Sequence, residues 1–336
     1  MASSFLDRLR AGEVLVSDGA TGTNLQQRGL ARGVPSERWV LDNPEQIVRL
    51  HCDFIEAGSD IILTSSFGGT SIRLEASGLG ARAAEVNRKA AILARRAAAS
   101  APPRGAAASP LRRPPSSEHP QGWGGSASPE QRAPAGVGGA AAASGTLVAG
   151  SIGPTGHLLK PLGPLEEEQA VAAFAAQTEA LSAAGVDLLV IETQFDLGEA
   201  KAAVRGARSV SNLPLVVSFS YDRGTRTMMG VRPATMAMEM AEMGVDVLGI
   251  NCGRSLEDNF KALVELRSNT RLPIWFKPNA GLPVLDEEAN PTYTITPEKM
   301  GTQAPDWLSA GAQIVGGCCG TSPAHLAAIA RAVKKV

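Results

Sequence analysis

Eight short, β-branched apolar runs, each followed by a helical pattern, constrain the fold of this chain more than any other feature. They are Val14 to Asp18, Asp60 to Phe67, Thr146 to Ile152, Asp187 to Thr193, Leu215 to Tyr221, Asp246 to Asn251, Ile274 to Pro278 and Gln313 to Gly317. Continuous rather than alternating apolar character marks strands covered on both faces, and strand-helix alternation demands parallel strands joined by crossover helices. Asn43-Pro44 supplies an N-cap and a first-turn proline ahead of Ile47, Leu50, Phe54 and Ile55, with Gly58 as the stop. Asp196 with Glu199 reads as a capping box, Thr321-Ser322-Pro323 opens the last helix, and Glu166 to Ala184 is a long Ala-rich helix closed by Gly185. No G-x-G-x-x-G follows the first run, so the expected architecture is an α/β (β/α)8 TIM barrel rather than a dinucleotide-binding sheet.

One stretch breaks the alternation. Between residues 101 and 145, 33 of 45 residues are Ala, Gly, Pro or Ser, too little apolar surface to offset the entropy of ordering them. It reads as a disordered, low-complexity insertion between helix 2 and strand 3, emerging on the N-terminal face of a single barrel domain spanning 1-336. The 336 residues, 44% apolar, are enough for one large core. With 32 basic and 33 acidic side chains and no basic run longer than a pair, the chain lacks the positive footprint of a nucleic-acid binder. No run approaches a membrane span, and Asp7, Arg8 and Arg10 sit where a signal peptide needs apolar residues, so a soluble, cytoplasmic protein is expected.

Four cysteines, at 52, 252, 318 and 319, are too few and too irregular for a disulfide framework. On a barrel, however, the C-terminal strand ends converge. Cys252 ends the sixth run and Cys318-Cys319 the eighth, so three thiols meet at one mouth, a donor set that suits zinc with a fourth position open to substrate. Adjacent ligands need unusual backbone, which Gly316-Gly317, Gly320 and Gly253 are expected to permit. Cys52 belongs to the helix after Pro44, with His51, and is expected to pack there. His119 falls in the insertion, His325 in the last helix, and His157 in a loop on the catalytic side that three thiolates leave without a task. Met236, Met240 and Met243 have the spacing of a helix face turned to the core, while Met228 and Met229 have no assignment.

An open position beside three thiolates is a poor place to activate water and a good one to bind a substrate thiol and lower its pKa, which points to alkyl transfer onto sulfur. Acidic residues at other strand ends would hold the rest of that substrate. Asp18, followed by Gly19-Ala20-Thr21-Gly22-Thr23, offers a carboxylate and backbone amides; Glu192 would bind an ammonium; Thr64, Ser65 and Ser66 offer hydroxyls.

Taken together, the segments Asp18 to Thr23, Gly150-Ser151-Ile152-Gly153-Pro154, Glu192-Thr193, Gly249-Ile250-Asn251-Cys252-Gly253 and Val315 to Gly320 resemble the zinc-dependent homocysteine S-methyltransferase family. Pro278-Asn279-Ala280-Gly281-Leu282-Pro283 is similar to the homocysteine module of cobalamin-dependent methionine synthase, more than to betaine-homocysteine methyltransferase; Leu63 departs from that module, which tends to have Glu there. The resemblance implies a (β/α)8 barrel with zinc on Cys252, Cys318 and Cys319. It further implies methyl transfer to L-homocysteine to form L-methionine, from methylcobalamin or a separate methylated corrinoid protein. S-methylmethionine or betaine as donor, a different thiol acceptor, and a non-enzymatic zinc-holding subunit that docks a corrinoid protein are the alternatives. Intact Asp18 and Glu192 favour catalysis over docking.

Overall fold

The computed structural model describes residues 4–100, 145–285 and 291–334. Each of the eight apolar runs contributes a parallel strand: β1 (Leu15–Val16), β2 (Ile61–Leu63), β3 (Leu147–Ile152), β4 (Leu188–Gln194), β5 (Leu215–Phe219), β6 (Val247–Cys252), β7 (Ile274–Pro278) and β10 (Ile314–Val315). They run in the order β1-β10-β7-β6-β5-β4-β3-β2. A parallel bridge from Ser17 to Ile61 brings β1 to β2, giving the expected (β/α)8 barrel. Two strands were not anticipated: β8 (Pro283–Leu285) and β9 (Pro291–Tyr293) pair antiparallel between β7 and the following helix. They are short and proline-bearing, so the run pattern that finds buried strands passes over them. The insertion, apart from Gly145, lies outside the described residues, and so does its placement on the N-terminal face.

Two apolar layers build the barrel, and the period of two along each strand sorts residues between them. Leu63, Ala149, Leu188, Val190, Val216, Val247, Trp275 and Ile314 fill the interior together with Phe5 and Leu9 of the helix Phe5–Arg10. Val148, Leu189, Ile191, Val217, Leu248 and Phe276 face the helices instead, in the larger outer core. Met236 and Met240 join that outer core, as their spacing indicated, while Met228, Met229 and Met238 are exposed.

Helix ends follow the sequence signals with two corrections. Asn43 precedes Pro44–Glu56 with Pro44 in the first turn, but its side chain makes no capping bond. Asp196 caps Leu197–Val210 by accepting from the Glu199 amide, yet the Glu199 carboxylate binds the Thr155 amide and hydroxyl rather than the cap, so only half of the box forms. A complete reciprocal cap occurs at Ser322 with His325, whose other ring nitrogen meets the Ile295 carbonyl at 2.9 Å. No helix among the described residues is long and apolar enough to cross a membrane.

Candidate functional site

The C-terminal strand ends bring the three expected cysteines together. Cys252 Sγ lies 3.0 Å from Cys318 Sγ and 3.8 Å from Cys319 Sγ, and all three sulfurs fall within 4.8 Å of one another. Crowding shapes their acidity: the Cys318 and then the Cys319 sulfur, with burial, push the Cys252 thiol well up, while S–H donation from Cys252 and then Cys318 pulls Cys319 well down. Such a cluster gathers a first thiolate readily and resists further ionisation unless a cation joins it. Cys52, as expected, stays on its helix, 3.7 Å from Ser100 Oγ and packed against the outer core. His157 is exposed and apart from the cluster.

Backbone strain is concentrated at the sulfur cluster, and only part of it falls on the glycines expected to carry it. Only two non-glycine residues among those described have positive φ, Cys252 at 58° and Thr193 at 59°. Each costs about 1–3 kcal/mol and persists only where its surroundings over-determine it. Asparagines do this here. Asn251 accepts from the Thr193 amide at 2.8 Å, donates to Thr193 Oγ1 at 2.7 Å and reaches Cys318 Sγ at 3.8 Å. Asn259 donates to the Cys252 carbonyl at 2.6 Å, and Asn279 accepts from the Cys319 amide at 2.9 Å while donating to the Gly253 carbonyl. Gly253 and Gly320, both at φ 80°, do take left-handed backbone. Gly316 and Gly317 are needed for space: a Cβ on Gly316 would meet the Asp18 and Ser17 carbonyls at 3.0 Å, and one on Gly317 would meet Thr321 at 2.5 Å.

Beneath the sulfurs lies a buried charged network whose centre the sequence reading missed. Lys277, on β7, donates to Asp18 Oδ1 at 2.7 Å, with side chains 3% and 1% exposed. Burial opposes its charge, but Asp18 and Glu192 more than offset that and hold its pKa above the ordinary value. Asp18 Oδ2 accepts from the Leu63 amide at 2.7 Å, so both of its oxygens are engaged within the protein. Gly19 is packed against Leu326, Thr321 and Phe54, and the Ala20 amide is taken by Thr321. Thr64 is likewise internal, bonded to Ser66 Oγ at 2.6 Å and to the Ser151 amide at 3.0 Å. Ser65, 2% exposed, keeps a buried hydroxyl without a partner among the described residues. Glu192 accepts from Ser151 Oγ at 2.5 Å through Oε1. Burial pushes its carboxyl up to about 7 despite the pull of Lys277, with the charges of Cys318 and Asp18 raising it further.

A (β/α)8 barrel whose mouth gathers three thiols above a buried Asp-Lys-Glu network defines a class of barrel protein that can hold a metal ion beside a charged pocket. This chain belongs to the homocysteine S-methyltransferase family, whose model matches residues 15–333. Among solved structures it is similar to the homocysteine methyltransferase MmuM from Escherichia coli in its metallated form. That likeness has 27% identity and a TM-score of 0.72, covering 96% of this chain and 97% of that one. The oxidized form of the same enzyme gives a TM-score of 0.70 at 27% identity, over 94% of each chain. The chain is also 27% identical to the methionine synthase of Mycobacterium tuberculosis (strain ATCC 25618 / H37Rv) over 335 residues, 96% of this chain and 25% of that protein. It thus spans about a quarter of the length of the curated relatives it matches.

Proposed function

We propose that this chain transfers a methyl group to the sulfur of L-homocysteine, held as a zinc thiolate, to form L-methionine. The convergence of Cys252, Cys318 and Cys319 beside buried carboxylates carries this reading. Three sulfurs about 2.3 Å from a tetrahedral zinc ion stand about 3.8 Å apart. Cys252 and Cys319 already have that spacing, and the 3.0 Å pair needs to open only slightly. A solved relative in a metallated form supports a metal here. When bound, zinc would lower the pKa of the homocysteine thiol, so the nucleophile exists at neutral pH without a general base from the protein.

The protein's own groups hold the amino acid. Glu192 accepts the ammonium through Oε2, which has no hydrogen bond among the described residues, while Ser151 fixes Oε1. The unpartnered Ser65 hydroxyl supplies a further contact. Asp18 acts through Lys277, whose ammonium it fixes next to Glu192. Orienting the substrate in this way places its sulfur in line with the incoming methyl group. The S–H proton leaves to solvent, the S–CH3 bond forms as the bond from donor to methyl breaks, and the electron pair of that bond stays on the donor.

The donor we assign is a methylcorrinoid, free or on a separate protein. Exposed apolar side chains on the loops after β5 and β7, Met228, Met229 and Leu282, suit the broad face of such a donor. Methionine formation from L-homocysteine, with methylcobalamin, S-methylmethionine and betaine offered separately, tests both levels. Turnover with methylcobalamin is expected. Turnover only with the other two overturns the donor, and no methionine with any of them overturns methyl transfer to homocysteine.

A further inference from the structure

Tyr293, at the end of β9, lies against the cysteine turn although it is 26 residues before Cys319 and outside every motif singled out in the sequence. Its ring rests directly on Gly320: a Cβ there would come within 2.2 Å of Cγ, 2.3 Å of Cδ1 and 2.7 Å of Cδ2. No side chain other than hydrogen fits between them. The neighbouring Ile295 amide donates to the Ala280 carbonyl at 3.1 Å, and the Ala280 amide donates to the Cys319 carbonyl at 2.9 Å, so backbone bonds join the Tyr293 segment to the same turn. On the other side, the Tyr293 hydroxyl pairs with Thr23, whose Oγ1 accepts from the Gly320 amide at 3.4 Å. The ring is half-buried and packs against the outer core. Its phenol is held above its ordinary pKa first by burial and then by the charge of Cys319, with Cys318 and Cys252 contributing, which puts all three thiols within electrostatic reach.

We infer that Tyr293 is a positioning residue of the metal centre, its ring clamping the Cys318-Cys319-Gly320 turn so that the three sulfurs keep the spacing of a tetrahedral site whose fourth position stays open to substrate. The inference rests on the reading of the cysteines as a zinc site. Two of the three ligands are consecutive, so their sulfurs converge only while the turn after them keeps its left-handed glycine, and the ring covers that glycine. Groups one step behind metal ligands typically change metal affinity about 10–100-fold when removed. Packing by the ring should carry most of the effect, and the hydroxyl bond to Thr23 less.

The test uses the full chain loaded with zinc or cobalt(II), compared as wild type, Tyr293→Ala, Tyr293→Leu and Tyr293→Phe, with Val284→Ala on the same hairpin as a control. Zinc affinity is read by competition with a chromophoric chelator and coordination by the visible d–d absorption of the cobalt(II) form. Ala and Leu are expected to weaken zinc binding about 10–100-fold, and their cobalt bands should lose intensity as water raises the coordination number. Phe and the Val284 control should stay within about threefold of wild type with tetrahedral cobalt spectra. The Leu variant decides the matter if Ala does not fold, because it keeps apolar volume on the hairpin while removing the planar ring. Wild-type affinity and an unchanged cobalt spectrum in folded Tyr293→Leu overturn the inference, as does loss in Phe equal to that in Leu. Failure of the wild-type chain to take up one zinc overturns the metal reading itself, a different result.

Discussion

Cys318→Ala is expected to remove zinc and methyl transfer together, with metal affinity falling by about 10³-fold or more. A thiolate site contributes roughly 10–16 kcal/mol of binding with four ligands, so deleting one of only three protein sulfurs forfeits several kcal/mol. The two sulfurs left, on Cys252 and Cys319, are 3.8 Å apart and can hold an ion only with solvent completing its shell. A bound homocysteine would then compete with water for a weak centre. Zinc content after dialysis against a chelator and single-turnover methionine formation read the two losses independently. Cys52→Ala serves as the control, because its sulfur lies against Ser100 on another helix, and it should leave both unchanged. Retained zinc in Cys318→Ala would remove this residue from the ligand set.

The second large effect concerns Lys277. Replacing it with Met keeps the stem and deletes the charge that pairs with Asp18 at 2.7 Å inside the barrel. Breaking a buried ion pair from one side costs about 3–5 kcal/mol, because the remaining charge is left without compensation. The loss should depend on pH in a definite direction. Burial already pushes the Glu192 carboxyl up to about 7, and without the pull of Lys277 its folded-state pKa moves higher. Stability from a carboxyl whose folded pKa is raised is fully present below its unfolded pKa and is lost as pH rises through the folded value. The metal-free Lys277→Met protein should therefore be closest to wild type near pH 4.5 and weakest above pH 7. Urea unfolding across that range measures it, and the double variant Asp18→Asn/Lys277→Met should recover more than half of the loss at pH 8. A pH-independent deficit would mean that packing, not charge, is what Lys277 supplies.

Lys277 also shows how much of the site was legible. The apolar runs located every barrel strand, since strands covered on both faces need continuous apolar residues. Their order and the parallel topology carried Cys252, Cys318 and Cys319 to one mouth. The finer step was available too. Counting by two from the interior residues Ala149, Val190, Val216 and Trp275 gives Ser151, Glu192, Ser218 and Lys277, the polar layer just above the apolar one. A lysine within an otherwise apolar strand was the signal, and reading the run as a block concealed it. Other features could not be read from local pattern. Both Asp18 oxygens are spent on Leu63 and Lys277, which depends on where β2 and β7 stand. Strain at Thr193 and Cys252 is imposed by asparagines from other segments, and neither residue type announces positive φ. The space demands at Gly316 and Gly317 arise from Ser17, Asp18 and Thr321, so the conformational freedom of glycine was the wrong reason for the right residues. Tyr293 reaches the site through a short hairpin with no buried-strand signature.

Zinc K-edge X-ray absorption on the zinc-loaded chain, with and without L-homocysteine, tests the central claim most directly when paired with calorimetric proton counting. Sulfur coordination should rise from three to four as homocysteine binds, with about one proton released at neutral pH because the thiol becomes a thiolate. A sulfur count that stays at three, with no proton release on saturation, would contradict a zinc-activated homocysteine thiolate at Cys252, Cys318 and Cys319.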